Sequence, residues 1–238
     1  MKSTIAIILA GGHGIRMGEY KLPKQFIKID GKPVFVYTIE KFLGTGLFDK
    51  IVVPVAEAWI PHATETLRQF IKDDSNIVFI KGKNTRVEST VYAIDYIKQT
   101  MQIDDETIIV IHDAVRPFVS KKIIQANVGA ALKHNVISTA VPLTESIVES
   151  KDFSYVDSFT DRKDMYVLQT PQTFCGERLS HAYSKLTSDE KSKVYDLCEI
   201  MRQSGEKVYL VEGDMLNLKI TFSEDVKIAE GVVMRKKL

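Results

Sequence analysis

The chain has 238 residues, with 32 Lys and Arg against 31 Asp and Glu and a formal charge of +1. No global positive field suits it to nucleic acid, and any basic function must be local. Two widely spaced cysteines, Cys175 and Cys198, exclude a disulfide framework or a zinc site, and no apolar run is long enough to cross a membrane. Apolar residues at 45% and charged residues at 26% fit one large α/β domain over residues 1–238, expected in the cytoplasm with its thiols reduced.

In chain order, the β-branched run Thr4–Ala10 ends in Gly-Gly and predicts a parallel strand buried on both faces. Pro33 opens a helix over Val34–Leu43. Lys50–Val55 is the second strand and Glu57–Ile71 a helix. Asn76–Ile80 is the third strand, followed by a helix over Thr85–Gln99 with Val87, Val91, Ile94 and Ile97 on one face. Glu106–Ile111 is the fourth strand, and Ser120 caps a helix running to His134. Val136–Pro142 is the fifth strand. Five strand-then-helix units imply a Rossmann-like, doubly wound, mostly parallel sheet with helices on both sides.

The pattern breaks over residues 143–168. Ser146–Glu149 and Ser154–Phe159 alternate around the turn-like Ser150-Lys-Asp, which predicts a protruding two-stranded β-arm. Helices follow over Glu177–Leu186 and Ser188–Gln203, then a strand over Lys207–Glu212 and a closing helix over Ser223–Arg235.

Chemistry gathers after the strands. Leu9-Ala-Gly-Gly-His-Gly-Ile-Arg16 follows the first strand, where an open α/β sheet places its ligand. Glycines let the backbone approach closely, and successive N–H groups cradle phosphate. The loop lacks the third glycine of a dinucleotide fingerprint and the Gly-Lys-Ser/Thr of a P-loop, so by itself it also reads as a tight turn. Arg16 and Lys24, eight residues apart, give it the fixed cations that phosphoryl transfer needs. Gly82-Lys-Asn-Thr-Arg-Val-Glu-Ser89 is either a plain capped helix start or a nucleotide contact at a helix N-terminus. His112-Asp-Ala-Val-Arg-Pro117 places Asp113 where a carboxylate meets Mg2+ or ribose; His112 reads as a packing histidine rather than a base. Arg162 and Lys219 are later cations that suit a phosphorylated second substrate.

Taken together, LAGGHGIRMG, LPKQF, GKNTRVES, HDAVRPF, DRKDMYVLQTPQTF and NLKITFSEDVKIA resemble the polyol-phosphate cytidylyltransferases, nearly end to end. The family joins ribitol-5-phosphate enzymes of teichoic-acid and capsule synthesis to 2-C-methyl-D-erythritol 4-phosphate enzymes of isoprenoid synthesis. The resemblance implies that Leu9, Ala10, Gly11 and Gly12 wrap the CTP phosphates, while Gly82, Arg86 and Ser89 form the base and ribose pocket. It implies that Asp113 and Ala114 contact the ribose and that Asp113 helps hold Mg2+. Arg16, Lys24 and Lys219 would stabilise the α-phosphate in flight, and Arg162 with Thr170 would hold the acceptor phosphate. It further implies a homodimer through the arm, with Arg162 acting in trans. Trp59, the segment His62–Phe70, Val115, Met165-Tyr166 and Tyr195-Asp196 lean toward the ribitol branch, so the expected reaction is CTP with D-ribitol 5-phosphate giving CDP-ribitol and pyrophosphate. Methylerythritol phosphate is the alternative acceptor. An NAD(P)-binding oxidoreductase and a non-catalytic nucleotide-binding protein are the alternatives from other classes.

Overall fold

The computed structural model describes residues 2–12 and 22–235. In chain order it runs through β1 (Thr4–Leu9), β2 (Lys28–Ile29), β3 (Lys32–Pro33), α1 (Val34–Leu43), β4 (Lys50–Val55), α2 (Ile60–Arg68), β5 (Ile77–Lys81), α3 (Arg86–Thr100), β6 (Ile108–Asp113), α4 (Lys121–Ala130) and β7 (Val136–Pro142). The remainder holds β8 (Ile147–Glu149), β9 (Ser158–Thr160), β10 (Tyr166–Cys175), α5 (Arg178–Ser184), α6 (Ser188–Lys193), α7 (Leu197–Gln203), β11 (Tyr209–Glu212) and α8 (Ser223–Arg235).

Seven strands form one sheet in the order β11-β7-β10-β6-β1-β4-β5. β1 lies parallel between β4 and β6, and the chain winds away from it on one side before returning on the other. The crevice between β1 and β6 is therefore the topological switch point, where open α/β sheets bind their ligands. Alternate residues of β1 feed opposite faces. Ala6 and Ile8 pack with α1, α2 and α4, whereas Ile5 and Ile7 pack with α3, α5 and α7. Burial on both faces explains the unbroken apolar run that marked this strand. A third cluster seats Val226, Ala229 and Val233 of α8 against Ile27, Ile29, Val115 and Ile220, which ties the C-terminal helix to the rim of the crevice.

The parallel sheet carries one insertion that periodicity did not predict. β10 runs antiparallel between β6 and β7, through the Gln169-Thr-Pro-Gln172 stretch. Proline is foreign to a central strand because it cannot donate to the ladder. Here the register shifts between Gln169 and Gln172, and that irregularity accommodates Pro171. The small β2–β3 hairpin was also unread. Asp30 and Gly31 turn it at φ +51° and +77°, the left-handed pair that a two-residue hairpin demands. The helix expected over Ser188–Gln203 is two helices. Val194 and Asp196 adopt extended backbone between them, and the Asp196 carboxylate caps α7 by accepting the Cys198 N–H at 2.8 Å. The arm forms as an antiparallel ribbon pairing Glu149 with Ser158. Its second strand starts later than alternation suggested because Asp152 gathers the N–H groups of Ser154 and Tyr155 into the turn.

Candidate active site

Three strand ends build the site. At the end of β1, Leu9 lies beside Asp113 in register, and Ala10 donates its N–H to Pro54. The Ala10 carbonyl accepts Gln25 Nε2 at 2.6 Å, which clips the following basic turn onto the loop. A Cβ added at Gly12 would lie 3.4 Å from Lys24 Cε, so the lysine stem crosses the loop where glycine leaves room. At the end of β5, the Gly82 N–H donates to Val55 at 2.7 Å. Added Cβ atoms at Gly11 and Gly82 would stand 3.8 and 3.6 Å from Ser89 Oγ. The Ser89 hydroxyl is itself folded onto the Lys83 backbone, accepting its N–H at 2.9 Å and donating to its carbonyl. Ser89 thus shapes the loop as well as facing the cleft. Thr85 starts α3 through a capping box with Glu88, which sets Arg86 at the first helical position.

At the end of β6, Asp113 collects three cations. Lys219 Nζ lies 2.9 Å from Oδ2, Arg86 Nε 3.2 Å from Oδ1 and Arg116 Nε 3.6 Å from Oδ2. Burial pushes this carboxyl up, but Arg86, Lys219 and Arg116 together override it and hold it well below the usual carboxylate range. Burial pulls Arg116 below its ordinary value, against the opposing pull of Asp113. Arg116 Nη1 donates to the Asn217 carbonyl at 2.7 Å. Asn217, fully buried, donates Nδ2 to Gln169 Oε1 and to the Thr170 carbonyl. These bonds aim the 213–219 segment, and Lys219 with it, at Asp113.

His112 is buried, and burial takes it down to about 3, so the ring is neutral near neutral pH. Its Nε2 lies 3.2 Å from the Arg116 carbonyl. A carbonyl only accepts, so Nε2 carries the hydrogen. Its role is to hold the turn that presents Asp113 and Arg116, in line with the packing role expected of it.

The residues predicted from sequence converge. Leu9, Ala10, Gly11, Gly12, Lys24, Arg86, Ser89, Asp113 and Lys219 line one cleft of about 300 Å³, and Gly82 abuts it through Ser89. Two residues expected at the cleft are not among its lining. Ala114 has no exposed surface; its N–H donates to Leu9 and its carbonyl accepts Thr38 Oγ1, so its side chain does not face the cleft. Thr170 is buried behind Asp113 and accepts its N–H at 3.2 Å, a supporting position rather than a lining one. Arg162 stands on the arm, bonded to the Thr144 carbonyl, away from the cleft lining of its own chain. Arg16 lies outside the described residues. Gln25, Arg116, Gln172 and Asn217 were missed, although all four sit inside the motifs quoted for the resemblance.

Among the described residues, no group of three or more His, Cys, Asp or Glu side chains converges to hold a metal. The one carboxylate among the described cleft residues is Asp113, and both its oxygens already face cations. Such a donor set does not make a resident cage. It suits Mg2+ arriving on a triphosphate, which needs only one or two protein carboxylates beside the phosphate oxygens.

Lys24, Lys83, Arg86 and Lys219 oppose that carboxylate around a glycine-lined loop, a surplus of positive charge matched to a polyphosphate. Fold and site together define an α/β nucleotidyltransferase. Residues 4–235 match the family described as IspD: 2-C-methyl-D-erythritol 4-phosphate cytidylyltransferase, and the chain belongs to that family of CTP-using cytidylyltransferases. Among solved structures, it is similar to 2-C-methyl-D-erythritol 4-phosphate cytidylyltransferase of Francisella tularensis, at 27% identity over 97% of this chain and 99% of that one, with a TM-score of 0.80. It is also similar to 4-diphosphocytidyl-2C-methyl-D-erythritol synthase of Anaerococcus prevotii, at 26% identity over 98% and 99%, with a TM-score of 0.79. Against the bifunctional IspDF of Campylobacter jejuni it is 26% identical over 95% of this chain and 54% of that one, with a TM-score of 0.75.

Proposed function

We propose that the protein transfers CMP from CTP to 2-C-methyl-D-erythritol 4-phosphate, releasing pyrophosphate. The observation that carries the transfer is the convergence of Lys24, Arg86 and Lys219 on one glycine-lined cleft. An acceptor phosphate oxygen attacks the α-phosphorus of CTP, a new P–O bond forms, and the bond to the β-phosphate breaks. The acceptor is already anionic at neutral pH, so no side chain has to remove a proton. The fixed ammonium groups of Lys24 and Lys219 offset charge growing on the α-phosphate and the leaving pyrophosphate. Asp113 keeps Lys219 and Arg86 aimed at that point. Mg2+, when it enters on the triphosphate with Asp113 beside it, supplies further charge neutralisation.

The family description and the names of the Francisella and Anaerococcus proteins support methylerythritol phosphate, the acceptor that the sequence placed second. They lend no support to the ribitol branch. Ribitol 5-phosphate keeps one observation in its favour: Val115 lines the cleft where the methylerythritol branch more often carries Ala. The exposed apolar arm, with Phe153, Tyr155 and Phe159 in solvent, supports pairing of two copies, in which Arg162 would reach the partner's acceptor phosphate. Pyrophosphate release with CTP and each acceptor tests the assignment. The higher kcat/KM is expected with methylerythritol phosphate; a higher value with ribitol 5-phosphate would overturn the choice of acceptor.

A further inference from the structure

A chain of hydrogen bonds leaves the cleft through the protein interior and ends outside it. Arg86 Nη2 donates to Gln172 Oε1 at 2.9 Å. Gln172 Nε2 in turn donates to both carboxylate oxygens of Asp196, at 3.1 and 2.9 Å. Gln172 is 1% exposed and sits on β10 opposite Ile111 of β6, directly behind the strand that delivers Asp113. Asp196 lies in the break between α6 and α7 and does not line the cleft.

Which way a buried glutamine amide points is decided by its partners. A carboxylate has no hydrogen to give, so the Asp196 end of the pair must receive the amide nitrogen. That leaves the amide oxygen, and only the oxygen, facing the guanidinium. Capping α7 does not by itself call for aspartate, since Asn or Ser caps equally well. An acceptor-only group at this position is what the Gln172 orientation requires.

We propose that Asp196 is a positioning residue for the nucleotide half of the site, locking the Gln172 amide so that Arg86 is held between Gln172 and Asp113. The proposal rests on the reading of the cleft as a CTP site. It makes a sharp demand of Asp196→Asn. The introduced amide keeps its oxygen on the Cys198 N–H, so the cap survives, but it now turns an NH2 group toward the Gln172 NH2. Gln172 Nε2 keeps its 3.1 Å contact with the retained oxygen but meets an NH2 group where the 2.9 Å acceptor stood, so it either holds that donor–donor contact or flips and turns its own NH2 onto Arg86. Gln172→Glu fails for the opposite reason, because it sets a second carboxylate against Asp196. Combining the two changes restores the pattern. The introduced amide then donates to one oxygen of the introduced carboxylate, and Arg86 donates to the other. The double variant has the same net charge and nearly the same volume as the parent.

The test is the dissociation constant for CTP, by titration calorimetry, of the parent, both single variants and the double variant, with thermal midpoints alongside. Each single change should weaken CTP binding by about tenfold, the scale of a hydrogen bond to a charged group, and the double variant should return to the parent value. Parent-like binding in Asp196→Asn would overturn the proposal. So would a double variant no better than the weaker single, or a lowered midpoint in Asp196→Asn that the double does not reverse, since either marks Asp196 as a helix cap alone. Normal CTP binding by the parent without transfer to any acceptor would instead sink the proposed reaction and leave the Asp196 network standing.

Discussion

At the residue scale, Asp113 and His112 are neighbours with opposite tasks. Asp113 remains charged because three cations outweigh its burial, and His112 remains neutral because nothing outweighs its own. The histidine therefore leaves a signature in stability. Folded, it titrates at about 3, against 6.5 for an ordinary histidine. Between those values the unfolded chain binds a proton that the folded chain does not. Unfolding free energy should therefore fall as pH drops through that window, by about 1.4 kcal/mol per pH unit from this group, and be independent of it above. His112→Gln keeps a donor for the Arg116 carbonyl and removes the titration. Urea unfolding between about pH 5 and pH 7 should show a shallower pH slope in the variant; parallel slopes would contradict a neutral buried His112.

The element scale shows why the candidate site was only partly legible in sequence. Gly11, Gly12, Gly82, Arg86 and Asp113 stand within a few residues of predicted strand ends, so strand prediction alone put them at one edge of the sheet. Lys24 lies well beyond the first strand and is read from its pairing with Arg16 around the glycine loop. Gln172 and Asn217 carry neither signal. Gln172 occupies a strand disguised by Pro171, and Asn217 works through a non-repetitive segment whose only regularity is its hydrogen bonding. That segment is closely fitted. A Cβ added at Gly213 would meet Gln169 Oε1 at 2.6 Å and the Thr139 and Val141 methyls at 3.0 Å, and the same Gln169 oxygen accepts Asn217 Nδ2. Gly213→Ala should displace that amide, cost about 1–3 kcal/mol of stability and loosen Lys219 from Asp113. A kcat loss larger than the change in KM would be the kinetic mark, and unaltered kcat would detach the segment from the chemistry.

For the whole molecule, the architecture was the most legible feature. Parallel strands buried on both faces leave long apolar runs, and helices between them leave a 3.6-residue period; both survive in a single sequence. The antiparallel β10, the split between α6 and α7, and the β2–β3 hairpin left no such trace. Each depends on a local device: a register shift around proline, an aspartate cap, a two-residue turn. The acceptor was least legible: Arg162, expected to hold its phosphate, is not among the residues that line the cleft of its own chain. The surplus of cations around a glycine-lined cleft is the feature on which the functional account stands.

Phosphorus NMR of CTP, methylerythritol phosphate and Mg2+, with the wild-type protein and with Lys24→Ala, tests that account most directly. Pyrophosphate and a cytidine diphosphate diester should appear in equal amounts with the wild type. With Lys24→Ala they should appear about 100-fold more slowly at saturation, with KM little changed. Release of orthophosphate, product formation without an acceptor, or an unaltered rate in the lysine variant would contradict it.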